Sequence, residues 1–181
     1  YIVAEGPSGL YLIVQHAAHE RVLYEQFMAE RAGHTVAAQE LLEPVVLELL
    51  PEQMALIEEN QAVLQEVGFG VEAFGRNTVQ LRRIPSMFAQ GDPGEALLAA
   101  VGEIECGEMP TEATAEERLI ARVCKKAAVK AGQVLSPAEM QALMRQLENC
   151  QSPRTCPHGR PTMLHLSAEE LARQFGRLGA I

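Results

Sequence analysis

The sequence predicts an α+β fold in two subdomains, one assembled from both chain ends and a second inserted between them. Three observations carry this reading. Short β-branched apolar runs sit near both ends of the 181-residue chain, at Ile2–Ala4, Leu10–Val14 and Thr162–Leu166. A self-contained block of helix and hairpin fills the middle. Helix-capping patterns recur through the last third. The implied subdomains are residues 1–38 with 111–181, and the inserted 39–110.

The elements follow in order. Ile2–Ala4 and Leu10–Val14 flank Gly6-Pro7-Ser8-Gly9, a hairpin signal. A helix is expected from His16 to Arg31, closed by Gly33. Gln39 to Leu49 is extended in character and broken by Pro44. Pro51 stands where a first helical position belongs, and Leu56, Ile57, Val63, Leu64 and Val67 line one helical face up to Gly68. Phe69–Phe74 and Thr78–Ile84 enclose Gly75-Arg76-Asn77 as a second hairpin, and a short helix follows from Pro93 to Ile104. Thr114 and Glu117 form a capping-box pattern before Leu119, Ile120, Val123, Cys124, Ala127, Ala128 and Ala131, a helical stripe ended by Gly132. Ser136 with Glu139 caps a helix reaching Asn149. Gln151 to Pro161 is loop-like, Thr162–Leu166 is a strand, and Ser167 with Glu170 caps the final helix.

Composition narrows the function. With 48% hydrophobic and 22% charged residues the chain is ordinary globular protein, without an apolar run of membrane-spanning length or a charged-then-apolar leader. Tyr1-Ile2-Val3-Ala4 reads as a strand entered midway, so a domain of something longer is expected. Fifteen Lys and Arg against 24 Asp and Glu give a net charge of −9. A freestanding nucleic-acid binder carries a basic excess, because phosphate contacts supply most of its non-specific affinity. Any DNA contact is therefore expected to be weak unless a partner supplies it. Four cysteines at 106, 124, 150 and 156 form no dense disulfide framework, which fits reduced thiols in a cytoplasm.

Two clusters offer chemistry. In Gln15-His16-Ala17-Ala18-His19-Glu20, His16 and Glu20 stand at i and i+4 on one helical face, a spacing that suits a metal ion. His19, at i+3 from His16, is within reach too. The same residues also fit a polar face at a strand-to-helix junction. In Cys156-Pro157-His158-Gly159-Arg160-Pro161, an extended backbone would point Cys156 and His158 the same way, and a thiolate with an imidazole favours zinc. A buried cysteine beside a surface histidine fits equally. Cys124, inside an apolar stripe, reads as core; Cys106 and Cys150 read as structural, and His34 and His165 as histidines without partners. Gln39, Leu42 and Pro44 lie in an extended segment that fits a docking peptide.

In this order the motifs resemble the C-terminal domain of MutL mismatch-repair proteins of the endonuclease class, over nearly the whole chain. That family carries Asp-Gln-His-Ala, two residues, Glu, four residues, Glu; here stand Val14-Gln15-His16-Ala17, Glu20 and Glu25. Val123-Cys124-Lys125 parallels an Ala-Cys-Arg-like helical element, Cys156 to Pro161 matches a Cys-Pro-His-Gly-Arg-Pro loop intact, and Phe175-Gly176-Arg177 matches a terminal Phe-x-Arg. Gln39, Leu42 and Pro44 match the element that docks on the replication sliding clamp.

The resemblance implies a metal site with His16, Glu20, Cys124, Cys156 and His158 as ligands, zinc as a structural ion and manganese supporting strand nicking. His16 and Glu20 are the implied catalytic residues, and Arg160, by its charge and position in the loop, is expected to join them by contacting phosphate or orienting the loop. It also implies a homodimer, with recruitment to DNA through the clamp and a mismatch-recognition protein, and with an ATPase in a separate N-terminal domain. Val14 replaces an aspartate that nicking needs, and valine has no oxygen to offer an ion. The alternative expectation is a non-catalytic, zinc-stabilised module for dimerisation and clamp docking.

Overall fold

Antiparallel pairing and capped helices account for most of the chain in the computed structural model, which describes residues 1–33, 36–89, 91–101, 114–130 and 132–177. His34, Cys106, Ala131, the expected helix end at Ile104 and the expected boundary near 110 lie outside the described residues. The first half contains β1 (Ile2–Gly6), β2 (Gly9–Ile13), α1 (Gln15–Ala32), β3 (Ala38–Glu48), α2 (Pro51–Glu59), α3 (Gln61–Glu66), β4 (Gly70–Gly75) and β5 (Thr78–Pro85). A 3₁₀ turn at Ser86–Phe88 precedes α4 (Pro93–Val101), α5 (Ala115–Ala127), α6 (Pro137–Glu148), β6 (Met163–Ser167) and α7 (Ala168–Gln174). No helix among the described residues is long and apolar enough to cross a membrane.

The chain divides into two compact units, Tyr1–Val22 with Ala128–Ile181, and Leu23–Ala127. In the first unit an antiparallel sheet has the order β1-β2-β6. Val3, Leu12 and Leu164 share one row of the register, and Glu5, Leu10 and Leu166 another. Alternation along the strands sends Ile2 and Ile13 to the opposite face, where they pack with Ala18, Val22, Leu135, Leu143 and Leu147. Gly9 closes the hairpin at a φ of +143°, and a Cβ there would come within 2.2 Å of the Leu166 carbonyl oxygen; only glycine admits this approach of β2 to β6. Leu143 and Leu147, one turn apart on α6, contribute roughly 1.5–3 kcal/mol each by burial.

Capping follows the sequence reading closely. The Ser136 hydroxyl accepts from the Glu139 amide (3.3 Å) while the Ser136 amide donates to the Glu139 carboxylate (2.7 Å). Ser167 and Glu170 make the same reciprocal pair at 3.1 and 2.8 Å, as do Thr114 and Glu117 at 3.2 and 2.8 Å. Each box contributes about 1 kcal/mol by satisfying amides that the first helical turn leaves unpaired.

The second unit carries the sheet β3-β5-β4 against α3 and α4, with α2 and α5 packed on α4, around a core that includes Phe27, Leu64, Phe69, Leu81, Leu97 and Ile120. Three expectations need correction here. Pro44 does not end the extended segment: β3 runs through it, because β3 is an edge strand and needs no ladder donor at that point. The cost is a register break against β5 between Glu40 and Val45. The helix from Pro51 to Gly68 is two helices that meet at Asn60, whose side chain donates to the Leu56 carbonyl (2.8 Å) at the end of α2. The stripe expected to run to Ala131 stops at Ala127, since the Val129 peptide groups are bonded elsewhere.

Candidate metal centre

The site grows from the start of α1. The Val14 carbonyl accepts from the Ala18 amide (2.9 Å), which makes Val14 the N-cap residue, and the Val14 amide donates to the Thr162 carbonyl (2.8 Å). Valine gives that cap no side-chain acceptor. Over the next turn three side chains take hold of irregular backbone. Gln15 Nε2 donates to the Gln133 carbonyl (2.6 Å), His16 Nδ1 meets the Val129 carbonyl (2.9 Å), and the Val129 amide donates to His19 Nδ1 (3.0 Å). Backbone groups outside helices and sheets need such partners when they are taken from water. Burial first, and the His16 imidazole second, push the His19 pKa down, in keeping with a neutral ring that accepts a hydrogen bond.

Glu20 follows one turn after His16 and is buried, 3% exposed, on α1. It meets the loop Cys156–Pro161. That loop is not extended, which corrects the sequence reading: the Gly159 amide returns to the Cys156 carbonyl (2.9 Å), forming a tight turn with Pro157 and His158 at its centre. Gly159 has φ +80°, a left-handed geometry that suits glycine, and the Cys156 amide then closes on the Arg160 carbonyl (2.8 Å). The turn is anchored beneath by Thr162, fully buried, whose hydroxyl donates to the Pro153 carbonyl. Arg21 Nε donates to the Thr155 carbonyl, tying the loop to α1. The turn, rather than strand alternation, brings Cys156 and His158 to one side.

The result is a buried triad. Ligand atoms of Glu20, Cys156 and His158 all lie within 4.8 Å of one another. The His158 and Glu20 side chains are 5% and 4% exposed, and Cys156 is 2% exposed. Glu20 Oε1 pairs with His158 Nδ1. Bonding to the Cys156 thiol, then to Glu20, drives the His158 pKa up to about 9 against the opposing effect of burial. The Cys156 and Glu20 side chains thus favour the positively charged form of this imidazole. Thiolate, imidazole and carboxylate are a donor set that fits a zinc-type ion.

The other expected site residues are placed as follows. His16 stands one turn before Glu20 on α1, with Nδ1 committed to Val129. Cys124 is fully buried in the apolar core of the second unit. Arg160 is exposed on the loop. Gln39, Leu42 and Pro44 are all exposed on β3, with Leu42 and Pro44 inside its register break. Cys124 and Cys156 are buried, and Cys150 is half-buried. Sequence reasoning missed the holding roles of Gln15, His19, Arg21 and Thr162, because their partners are distant backbone groups that leave no local pattern.

Fold and triad together define a two-unit α+β domain with a buried candidate metal centre. Residues 1–135 match the family described as MutL C terminal dimerisation domain, and the chain belongs to that family. It is 39% identical over 181 residues to the DNA mismatch repair protein MutL of Symbiobacterium thermophilum, covering 98% of this chain and 28% of that protein. Against the MutL of Shouchella clausii the identity is 42% over 187 residues (98% and 27% covered), and against that of Methanoculleus marisnigri 41% over 179 residues (98% and 30%). The chain thus spans less than a third of the length of these relatives.

Proposed function

We propose that this chain is the dimerising, metal-holding C-terminal part of a DNA mismatch-repair protein, with a strand-nicking centre weakened by Val14. The buried Glu20–Cys156–His158 triad carries the metal-holding part of the proposal, because three ionisable donors taken together out of solvent are costly unless an ion or a proton pairs them. When bound, the ion would stabilise charge on an attacked phosphate and activate a water. Glu20, Cys156 and His158 would hold it. His16 and, on the family likeness alone, Cys124 are proposed as further ligands. Arg160, exposed beside the loop, would meet a phosphate. Metal analysis of the purified chain is expected to find zinc; a chain free of zinc after purification without chelator defeats the reading. Manganese is assigned to the nicking step, since it prefers harder oxygen ligands than zinc does.

A homodimer is supported by the outer face of the first sheet. Val3 and Leu164 are 64% and 56% exposed, Leu166 is 40% exposed, and Leu10 and Leu12 lie between them in the same rows. Five aliphatic side chains on one exposed face mark an interaction surface. Leu164→Glu is expected to shift the chain from dimer to monomer in sedimentation while leaving its helical content unchanged. A wild-type chain that sediments as a monomer rules the dimer out.

Docking on the replication sliding clamp, and recruitment to DNA through it and a mismatch-recognition protein, complete the reading. The exposed Leu42 in the register break of an edge strand supports clamp docking, and the net charge of −9 supports the need for recruitment. The second reading is a non-catalytic, zinc-stabilised docking module. Val14 favours it, since this residue supplies no donor where the family has a carboxylate.

A further inference from the structure

We propose that His19 sets the tautomer of His16 through the peptide of Val129, and so presents the His16 Nε2 lone pair to a cation. The tautomer rests on geometry, and its consequence for metal rests on the function proposed above. A backbone carbonyl can only accept and a backbone amide can only donate. His16 Nδ1, 2.9 Å from the Val129 carbonyl, must therefore carry a hydrogen, and His19 Nδ1, 3.0 Å from the Val129 nitrogen, must offer a lone pair.

Free imidazole prefers the hydrogen on Nε2, which would leave only Nδ1 to bind a metal. Reversing that preference in His16 takes an acceptor fixed at its Nδ1, and the acceptor here belongs to a residue outside any helix or strand. What fixes it is His19. At i and i+3 of α1 the two rings lie on one helical face and straddle a single residue, one taking its carbonyl and the other its amide. Gln15, bonded to the Gln133 carbonyl at 2.6 Å, holds the same segment four residues on, so the segment stays near α1 without fixing Val129 itself. The division of labour is clear. In the neutral ring His19 keeps its hydrogen on Nε2, has no lone pair left to ligate with, and acts as a positioning residue; His16 is left with Nε2 available.

The experiment is a long-range proton–nitrogen correlation of the histidine rings in the metal-free chain, with His19→Leu and His19→Gln beside the wild type. The wild type is expected to show His16 with its hydrogen on Nδ1. His19→Leu removes the acceptor for the Val129 amide and is expected to return His16 mainly to the Nε2-hydrogen form. His19→Gln, whose side-chain carbonyl accepts the same bond, is expected to keep the wild-type pattern. Zinc affinity should fall by roughly 10- to 100-fold in His19→Leu and recover in His19→Gln. A wild-type His16 bearing its hydrogen on Nε2 overturns the proposal whether or not either variant folds. So does a His19→Leu chain whose His16 pattern is unchanged. A changed tautomer with unchanged zinc affinity overturns the link to the metal. Should the chain bind no zinc at all, the function proposed above fails, while the ring spectra still decide the tautomer.

Discussion

Cys156→Ala is expected to strip zinc from the chain and to remove the part of its thermal stability that chelators remove from the wild type. Of the three clustered donors, Cys156 is the soft one, and at 2% exposure no solvent group can replace its sulfur. A bound metal stabilises the native state by RT ln(1 + [M]/Kd), about 4 kcal/mol when the free ion is roughly 1,000 times its Kd. Deleting the thiolate should remove most of that. Chelation should leave the wild type folded, however. With His158 pushed up to about 9, a proton stands on the imidazole beside Glu20 at neutral pH and keeps the buried carboxylate paired. The expected pattern is a wild-type melting temperature that drops on chelation and a Cys156→Ala melting temperature that does not respond. Cys150→Ala, at a half-buried thiol outside the cluster, should retain full zinc. Full zinc content in Cys156→Ala would show that the triad is not the metal site.

Much of this arrangement was legible in the chain itself, and the reason is locality. Capping boxes at Ser136 and Ser167 declare themselves within four residues, and the two hairpins declare themselves through alternation and turn residues. The Cys156–Pro161 loop is also local, so its donors are legible, although the residue pattern suggests an extended backbone where the chain forms a turn closed by Gly159. What stayed hidden depends on pairings across the sequence. Nothing near Val129 signals that its amide and carbonyl bond side chains of α1, so the sequence pattern extends the alanine-rich stripe past Ala127. Pro44 signals a break because a proline disfavours a central strand; that β3 sits at an edge is a property of the sheet, not of the segment. Cys124 shows the same limit: its apolar stripe fits the buried core position it occupies, and a ligand role for it is an expectation from the family likeness alone.

Val14→Asp is expected to raise manganese-dependent nicking of supercoiled DNA by at least about 10-fold, the scale on which partners of a metal site act. Position 14 caps α1, and its amide is bonded to Thr162, which follows directly on the Cys156–Pro161 loop. A carboxylate there would supply the hard oxygen that manganese favours and that valine lacks. The same substitution has a second effect that must be separated from the first. Aspartate is among the best N-cap residues, and α1 has no acidic side chain in its first turn to meet the positive end of its dipole. Val14→Asp should therefore also stabilise the fold by about 1 kcal/mol. Val14→Asn separates the two, because asparagine caps as well but brings no charge. Stability should rise in both variants and nicking in Val14→Asp alone. A gain in nicking shared by both would assign the effect to helix order. Equal nicking by wild type and Val14→Asp would mean that the centre cuts without this aspartate, and Val14 would cease to be the reason for calling it weakened.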